Sequence, residues 1–156
     1  MTEKDALIRE AEHLIDAIPV VTTHTPLNWD YDILGLVTGQ SVTGTGVVSE
    51  ISSSITDFFG MQSIRYNNKL KVGEKLCLAQ LRKQTVDWGG NAIIATDIDY
   101  SELGGLKGMI MVCIAGTAVR LKNTDVLGET KNEQIKNLVA LLEKLKPLAE
   151  FNYHEV

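Results

Sequence analysis

The chain has 156 residues, 44% of them apolar and 22% charged, and a formal net charge of −5. That length suits one domain with a real core, and the composition is that of an ordinary globular protein. The acidic balance argues against nucleic acid as the main partner, because binding phosphates calls for a basic face.

The N-terminal stretch MTEKDALIREAEHL lacks the basic and then apolar pattern of a signal peptide, so a cytoplasmic location is expected. No apolar run approaches the roughly 20 residues that cross a bilayer, so no membrane partner is expected either. Thr2 to Ile18 reads as a helix, with Thr2 as N-cap, acids in the first turn and Pro19 as the stop. Leu7, Ala11, Leu14, Ile15 and Ile18 fall on one face, and His13 lies beside that stripe as a boundary residue.

Val20–Thr25 is a short β-branched run, expected as an edge strand ended by Pro26. A longer strand follows around Tyr31–Val42, with Trp29 packing where it begins. Gly39, Gly44 and Gly46 invite comparison with a phosphate loop, but no Gly-Lys-Ser/Thr ending follows, and backbone geometry explains them more simply. Val47–Phe58 is expected as a short helix. Its serines, Ser52–Ser54, have no neighbouring base that would make a nucleophile.

Ser63–Trp88 is the principal helix. One stripe runs Tyr66, Leu70, Gly73, Cys77, Leu81 and Trp88, and a second runs Val72, Leu76, Ala79 and Val86. At 100° per residue these are different sides of the cylinder. One is expected on the chain's own sheet, the other on a neighbouring subunit or a terminal helix. Gly73 inside a helix is unfavourable by about 1 kcal/mol relative to Ala, which a close approach to a strand would offset. Gly89-Gly90-Asn91 supplies the stop.

Ala92–Tyr100 and Met109–Leu121 then form a hairpin around Gly104, Gly105 and Gly108. One side of the second strand carries Met109, Met111, Cys113, Ala115, Thr117 and Val119; the other carries Ile110, Val112, Ile114 and Ala118. A strand apolar on both faces must be covered on both, and one helical layer covers only one. The expectation is that a lone copy cannot keep this sheet dry, Ile110, Val112 and Ile114 included, and that self-association completes the core. Cys77 and Cys113 lie far apart inside regular elements and read as small buried hydrophobes. After the polar connector Lys122–Thr130, Glu129–Glu150 is an amphipathic helix with Ile135, Leu138, Leu142, Leu145 and Ala149 in a short heptad seam. His154, in the tail, reads as solvated.

Asp97 and Asp99 are the constellation most open to chemistry. Two apart in a strand, they share a face, expected to be that of Ile93 and Ala95. Close carboxylates repel and resist desolvation unless something positive meets them. They are either hydrated at the sheet's end, in contact with a basic group of another subunit, or hard-oxygen ligands for a divalent cation such as Mg²⁺ or Ca²⁺.

Several motifs occur together in order: Thr22-Thr23 with Leu27 and then Ile33-Leu34-Gly35-Leu36-Val37-Thr38-Gly39; DFFGMQS at Asp57–Ser63 with Tyr66; Gly89 through Ile94; Asp97-Ile98-Asp99-Tyr100; Met109 to Met111; and Gly116-Thr117-Ala118-Val119. Together they resemble the YbjQ-like proteins, catalogued as heavy-metal-binding domains. The resemblance implies a strand–helix–strand–strand unit with an antiparallel sheet, similar to dodecin subunits, assembled into a pentameric ring. Relatives commonly have Gly-Gly-Arg-Ser where this chain has Gly60-Met61-Gln62-Ser63, so Gln62 stands in for an arginine. The heavy-metal label does not carry over to the cysteines, since no soft-ligand set completes a tetrahedral site around Cys77 or Cys113.

The expected architecture is therefore α+β, two-layered and ring-forming, with an N-terminal helical extension over residues 1–18, a YbjQ-like domain over 19–122, and a connector and helix over 123–156. The expected function is non-enzymatic: binding a small ligand or a protein partner at subunit boundaries or in a central channel. Asp97, Asp99, Tyr100, Thr38, Gly39 and Gln62 are the ligand or interface candidates, and no catalytic set is assigned. The alternatives are a divalent-metal site at Asp97 and Asp99, and a scaffold whose terminal helices recruit a protein partner.

Overall fold

A computed structural model describes residues 2–43, 61–104 and 109–150. The expected helix Val47–Phe58, Gly44, Gly46, Gly105, Gly108 and His154 lie outside them. The order of elements is α1 (Glu3–Ile15), β1 (Tyr31–Thr43), α2 (Met61–Asp87), β2 (Ala92–Leu103), β3 (Met109–Leu121), a 3₁₀ turn (Thr124–Leu127) and α3 (Glu129–Glu150). Thr2 caps α1 as its sequence foretells: its hydroxyl accepts from the Asp5 amide at 3.2 Å, and the Asp5 carboxylate accepts from the Thr2 amide at 2.8 Å.

The sheet has strand order β1-β3-β2, with the hairpin's second strand in the middle and antiparallel to both neighbours. The expected strand Val20–Thr25 is reduced to a single parallel bridge, Val20 to Ile93. Residues 19–23 nevertheless exchange backbone hydrogen bonds with β2 at Ile93, Ala95 and Thr96, sealing the first half of its outer edge.

The helix α2 lies on one face of the sheet. Cys77 and Leu81 meet Val37, Ile93, Ile110, Val112, Ile114 and Ala118, all buried. Two glycines permit the approach. A Cβ on Gly39 would lie 2.5 Å from the Cys77 carbonyl oxygen, and one on Gly73 would lie 2.7 Å from Val112 Cγ2. The close contact expected of Gly73 is present.

Ile110, Val112 and Ile114 are at most 1% exposed within the single chain, which corrects the expectation that they need a neighbour to stay dry. The opposite face is covered over one half only. There Ala92, Ile94, Val119 and Leu121 pack beneath Val21, Trp29, Tyr31 and Leu127. Over the other half Met109, Met111 and Cys113 remain half-buried, with no layer above them among the described residues.

The heptad seam of α3 is used internally. Leu138, Leu142 and Leu145 cluster with Ala11, Leu14, Ile15 and Ile18 of the α1 end of the chain and with Val86. The second stripe of α2 is thus divided: Val86 joins the terminal helices, whereas Val72 and Leu76 stay exposed. Among the described residues no helix is long and apolar enough to cross a membrane.

Candidate functional site

The register of β3 with its two neighbours assembles the open half of the sheet. Thr38, Ala115 and Asp97 form one cross-strand row, and Gln40, Cys113 and Asp99 form the next. Residues paired across antiparallel strands share a face, so both carboxylates, the Cys113 thiol, the Gln40 amide and the Thr38 hydroxyl stand on one surface. A shallow cavity of about 110 Å³ lies among them.

A β-bulge decides which surface that is. Ala95 and Thr96 both fall opposite Gly116, between the pairs Ile94–Thr117 and Asp97–Ala115, and Ala95 takes φ +52°. One extra residue reverses the side on which every later side chain emerges. Ile93 is buried under α2, while Asp97 and Asp99 point to the opposite, open face. The placing of both acids with Ile93 is therefore corrected, while Ala95 packs with Ile94 on the acids' side of the sheet; the two acids do share a face.

Of the residues singled out from sequence, Thr38, Gly39, Asp97 and Asp99 line the cavity. Gly39 contributes backbone only, its absent side chain being the space that the Cys77 backbone occupies. Tyr100 is on the α2 side of the sheet, where its hydroxyl donates to the Glu74 carboxylate at 2.6 Å. Gln62 lies in the first turn of α2, and its side chain is outside the described residues. Sequence reasoning missed Gln40 and Cys113. Asp99 stands opposite Cys113 because β2 runs on past Tyr100 to Leu103, which pairs with Met109.

The two cysteines are unlike. Cys77 is buried, and its thiol donates to the Val112 carbonyl at 3.3 Å. Burial, and secondarily the proximity of Cys113, push that thiol's pKa up, which keeps it a neutral packing group. Cys113 is half-buried on the other face; both are free thiols. Among the described residues, no three His, Cys, Asp or Glu side chains are grouped so that they could hold a metal ion. The described residues of one copy therefore offer a cation at this cavity two carboxylates and no complete set.

The outer edge of β1 is closed in an unusual way. Gln84 accepts from the Thr38 amide at 3.2 Å and donates to the Thr38 carbonyl at 2.7 Å. Gln80 does the same for Gln40, both bonds at 2.9 Å. Two carboxamides one helical turn apart thus imitate the backbone of a missing strand and satisfy an edge otherwise ready for sheet extension.

The model of a family described as "Putative heavy-metal-binding", YbjQ_1, matches residues 18–122. This chain belongs to that family. A "UPF0145 protein" of Anoxybacillus flavithermus (strain DSM 21510 / WK1) is 39% identical over 89 residues, 57% of this chain and 83% of the relative. One from Actinobacillus pleuropneumoniae serotype 5b (strain L20) is 38% identical over 88 residues, 56% and 83% of the two chains. A crystal structure of a DUF74-family protein of unknown function from Pediococcus pentosaceus ATCC 25745 superposes with a TM-score of 0.47 at 17% identity, covering 66% of this chain and 96% of that one. The matched family residues contain the sheet and α2; α1 and α3 lie outside them.

Proposed function

We propose that this chain is a non-enzymatic subunit that closes with copies of itself into a ring, and that ligand or partner binding takes place at the subunit boundaries or in the central channel. The observation that supports this reading is an unlike pair of apolar edges. Gln80 and Gln84 reach the edge of β1, and Val72 and Leu76 precede them on the same i, i+4 row. The flank of α2 at that edge therefore exposes Val72 (39%) and Leu76 (50%), and β1 exposes Leu36 and Val42 on the other face of the sheet. The opposite edge exposes Ile98 (37%) and Tyr100 (46%) of β2, which α2 reaches only in part, through contacts such as that of Glu74 with the Tyr100 hydroxyl.

Two different surfaces at opposite edges are suited to a heterologous contact, which repeats until it closes on itself. The glutamine cap rules out a continuous sheet through Thr38 and Gln40, so copies would meet through side chains. Five subunits is the number the family resemblance implies. Such a ring places the cavity of Thr38, Gln40, Asp97, Asp99 and Cys113 where a neighbour can complete it. Native mass spectrometry of untreated protein tests this: a closed oligomer of one size is expected, and a monomer across the micromolar range would overturn it.

A second reading, a divalent-cation site, is favoured by the two carboxylates lining one cavity with Cys113. Hard cations take six or more oxygen ligands, so a neighbouring subunit would have to supply donors. Stoichiometric metal in elemental analysis, lost in Asp97→Asn/Asp99→Asn, would establish it; purified protein that neither retains nor takes up metal would remove it.

A further inference from the structure

A second cavity lies elsewhere, where the family domain meets the C-terminal helix that lies outside the family match. About 730 Å³ in volume, it is bounded by the end of α2, the Gly89–Asn91 turn, the end of β3 and one side of α3. That is the size range of small-molecule sites. Its walls are largely apolar: Val86, Leu121, Val139, Leu142 and Leu145.

The charges around it are unequal in what they have left to bind. Asp87 is held by Lys83 at 2.9 Å, Glu143 by Lys146 at 2.6 Å, and Lys122 by Asp32 at 3.1 Å. Arg120 is the one charged lining residue with no carboxylate partner among the described residues. Its Nε donates to the Gly89 carbonyl at 3.0 Å, which fixes the guanidinium at the wall and leaves the Nη groups to face a guest. A guanidinium presents a planar fork matched to a carboxylate.

We propose that this cavity binds an amphipathic carboxylate, its apolar chain lying between α3 and the end of β3 and its head on Arg120. This site goes beyond the ring reading: it is built within one copy and is independent of oligomer formation. Val139 on α3 is 48% accessible, an apolar wall that a ligand chain would cover.

The test is isothermal titration calorimetry on the full chain with decanoate below its micellar range, and with decanol as the uncharged control. One saturable site per chain is expected, with decanol weaker by about tenfold or more, the worth of a charge-assisted bond. Arg120→Gln should weaken decanoate by a similar factor and leave decanol unchanged, while Arg120→Lys, which keeps the charge but loses the planar fork, restores only part of the preference. Val139→Trp, at an exposed helix position, should fill the cavity and abolish both. Absence of saturable decanoate binding, equal affinity for decanol, or binding unaltered by Val139→Trp would each overturn the proposal. Should Arg120→Gln lower the thermal midpoint, the Val139→Trp result decides alone.

Discussion

Two buried threonines make opposite predictions. Thr85 donates its hydroxyl to the Leu81 carbonyl at 2.8 Å, whereas the Thr96 hydroxyl, in the bulge, is buried with no partner among the described residues. A satisfied bond contributes about 1 kcal/mol, and an orphaned buried hydroxyl is itself a penalty of similar size or larger. Thr85→Val should therefore destabilise by about 1 kcal/mol, and Thr96→Val should be neutral or stabilising by about as much. Urea midpoints at constant slope measure both. Tyr100 gives a pH signature. Ionisation would forfeit the hydrogen bond to Glu74 and place two negative groups together, so the phenol is pushed up to about 12. The folded value exceeds the ordinary tyrosine value of about 10, so the bond stabilises fully below pH of about 10 and fades as pH rises through about 12. Absorbance titration at 295 nm should show a late step that vanishes in Tyr100→Phe and moves down toward 10 in Glu74→Ala. The bulge itself was illegible. Ala95 holds φ +52° without being glycine, and nothing in AIIATDIDY marks the slip that moves Asp97 and Asp99 away from Ile93.

At the scale of elements, the sequence announced what periodicity controls. β3 occupies Met109–Leu121 and α3 occupies Glu129–Glu150, the bounds expected, because a long apolar run ending at the polar connector and an amphipathic seam leave little freedom. The run from Val20 to Thr25 did not become a strand, since β-propensity describes a preference for a pleated surface, and only part of an edge was available there. The stripes of α2 foretold two partners but not that the second stripe would be shared between α3 and open surface. Gly73 separates helix propensity from packing. Alanine there favours an isolated helix by about 1 kcal/mol, yet its Cβ would sit 2.7 Å from Val112 Cγ2 and 3.3 Å from Val112 Cβ. Overpacking of that kind typically outweighs the gain, so Gly73→Ala should destabilise by about 1–3 kcal/mol. In a double-mutant cycle with Val112→Ala, the combined loss should be smaller than the sum of the single losses.

For the whole molecule, the argument from a doubly apolar central strand was half right. It found a sheet with more apolar face than one helix covers, but it named the wrong face. The chain's own α2 buries Ile110, Val112 and Ile114, and the surface left over is the half around Met111 and Cys113 together with the two edges. Which residues of α2 point over β1 could not be read from the sequence, because that depended on Gln80 and Gln84 bonding to an edge strand far away in the chain. The arrangement proposed for the ring joins unlike edges, Leu76 of one copy near Ile98 of the next. Short bismaleimide cross-linking on a Cys113→Ala background tests it most directly. The Leu76→Cys/Ile98→Cys chain should yield a ladder of covalent oligomers ending at one closed size, while Leu76→Cys alone yields none. Cross-linked dimers from Leu76→Cys alone, or no ladder from the pair, would contradict the head-to-tail ring.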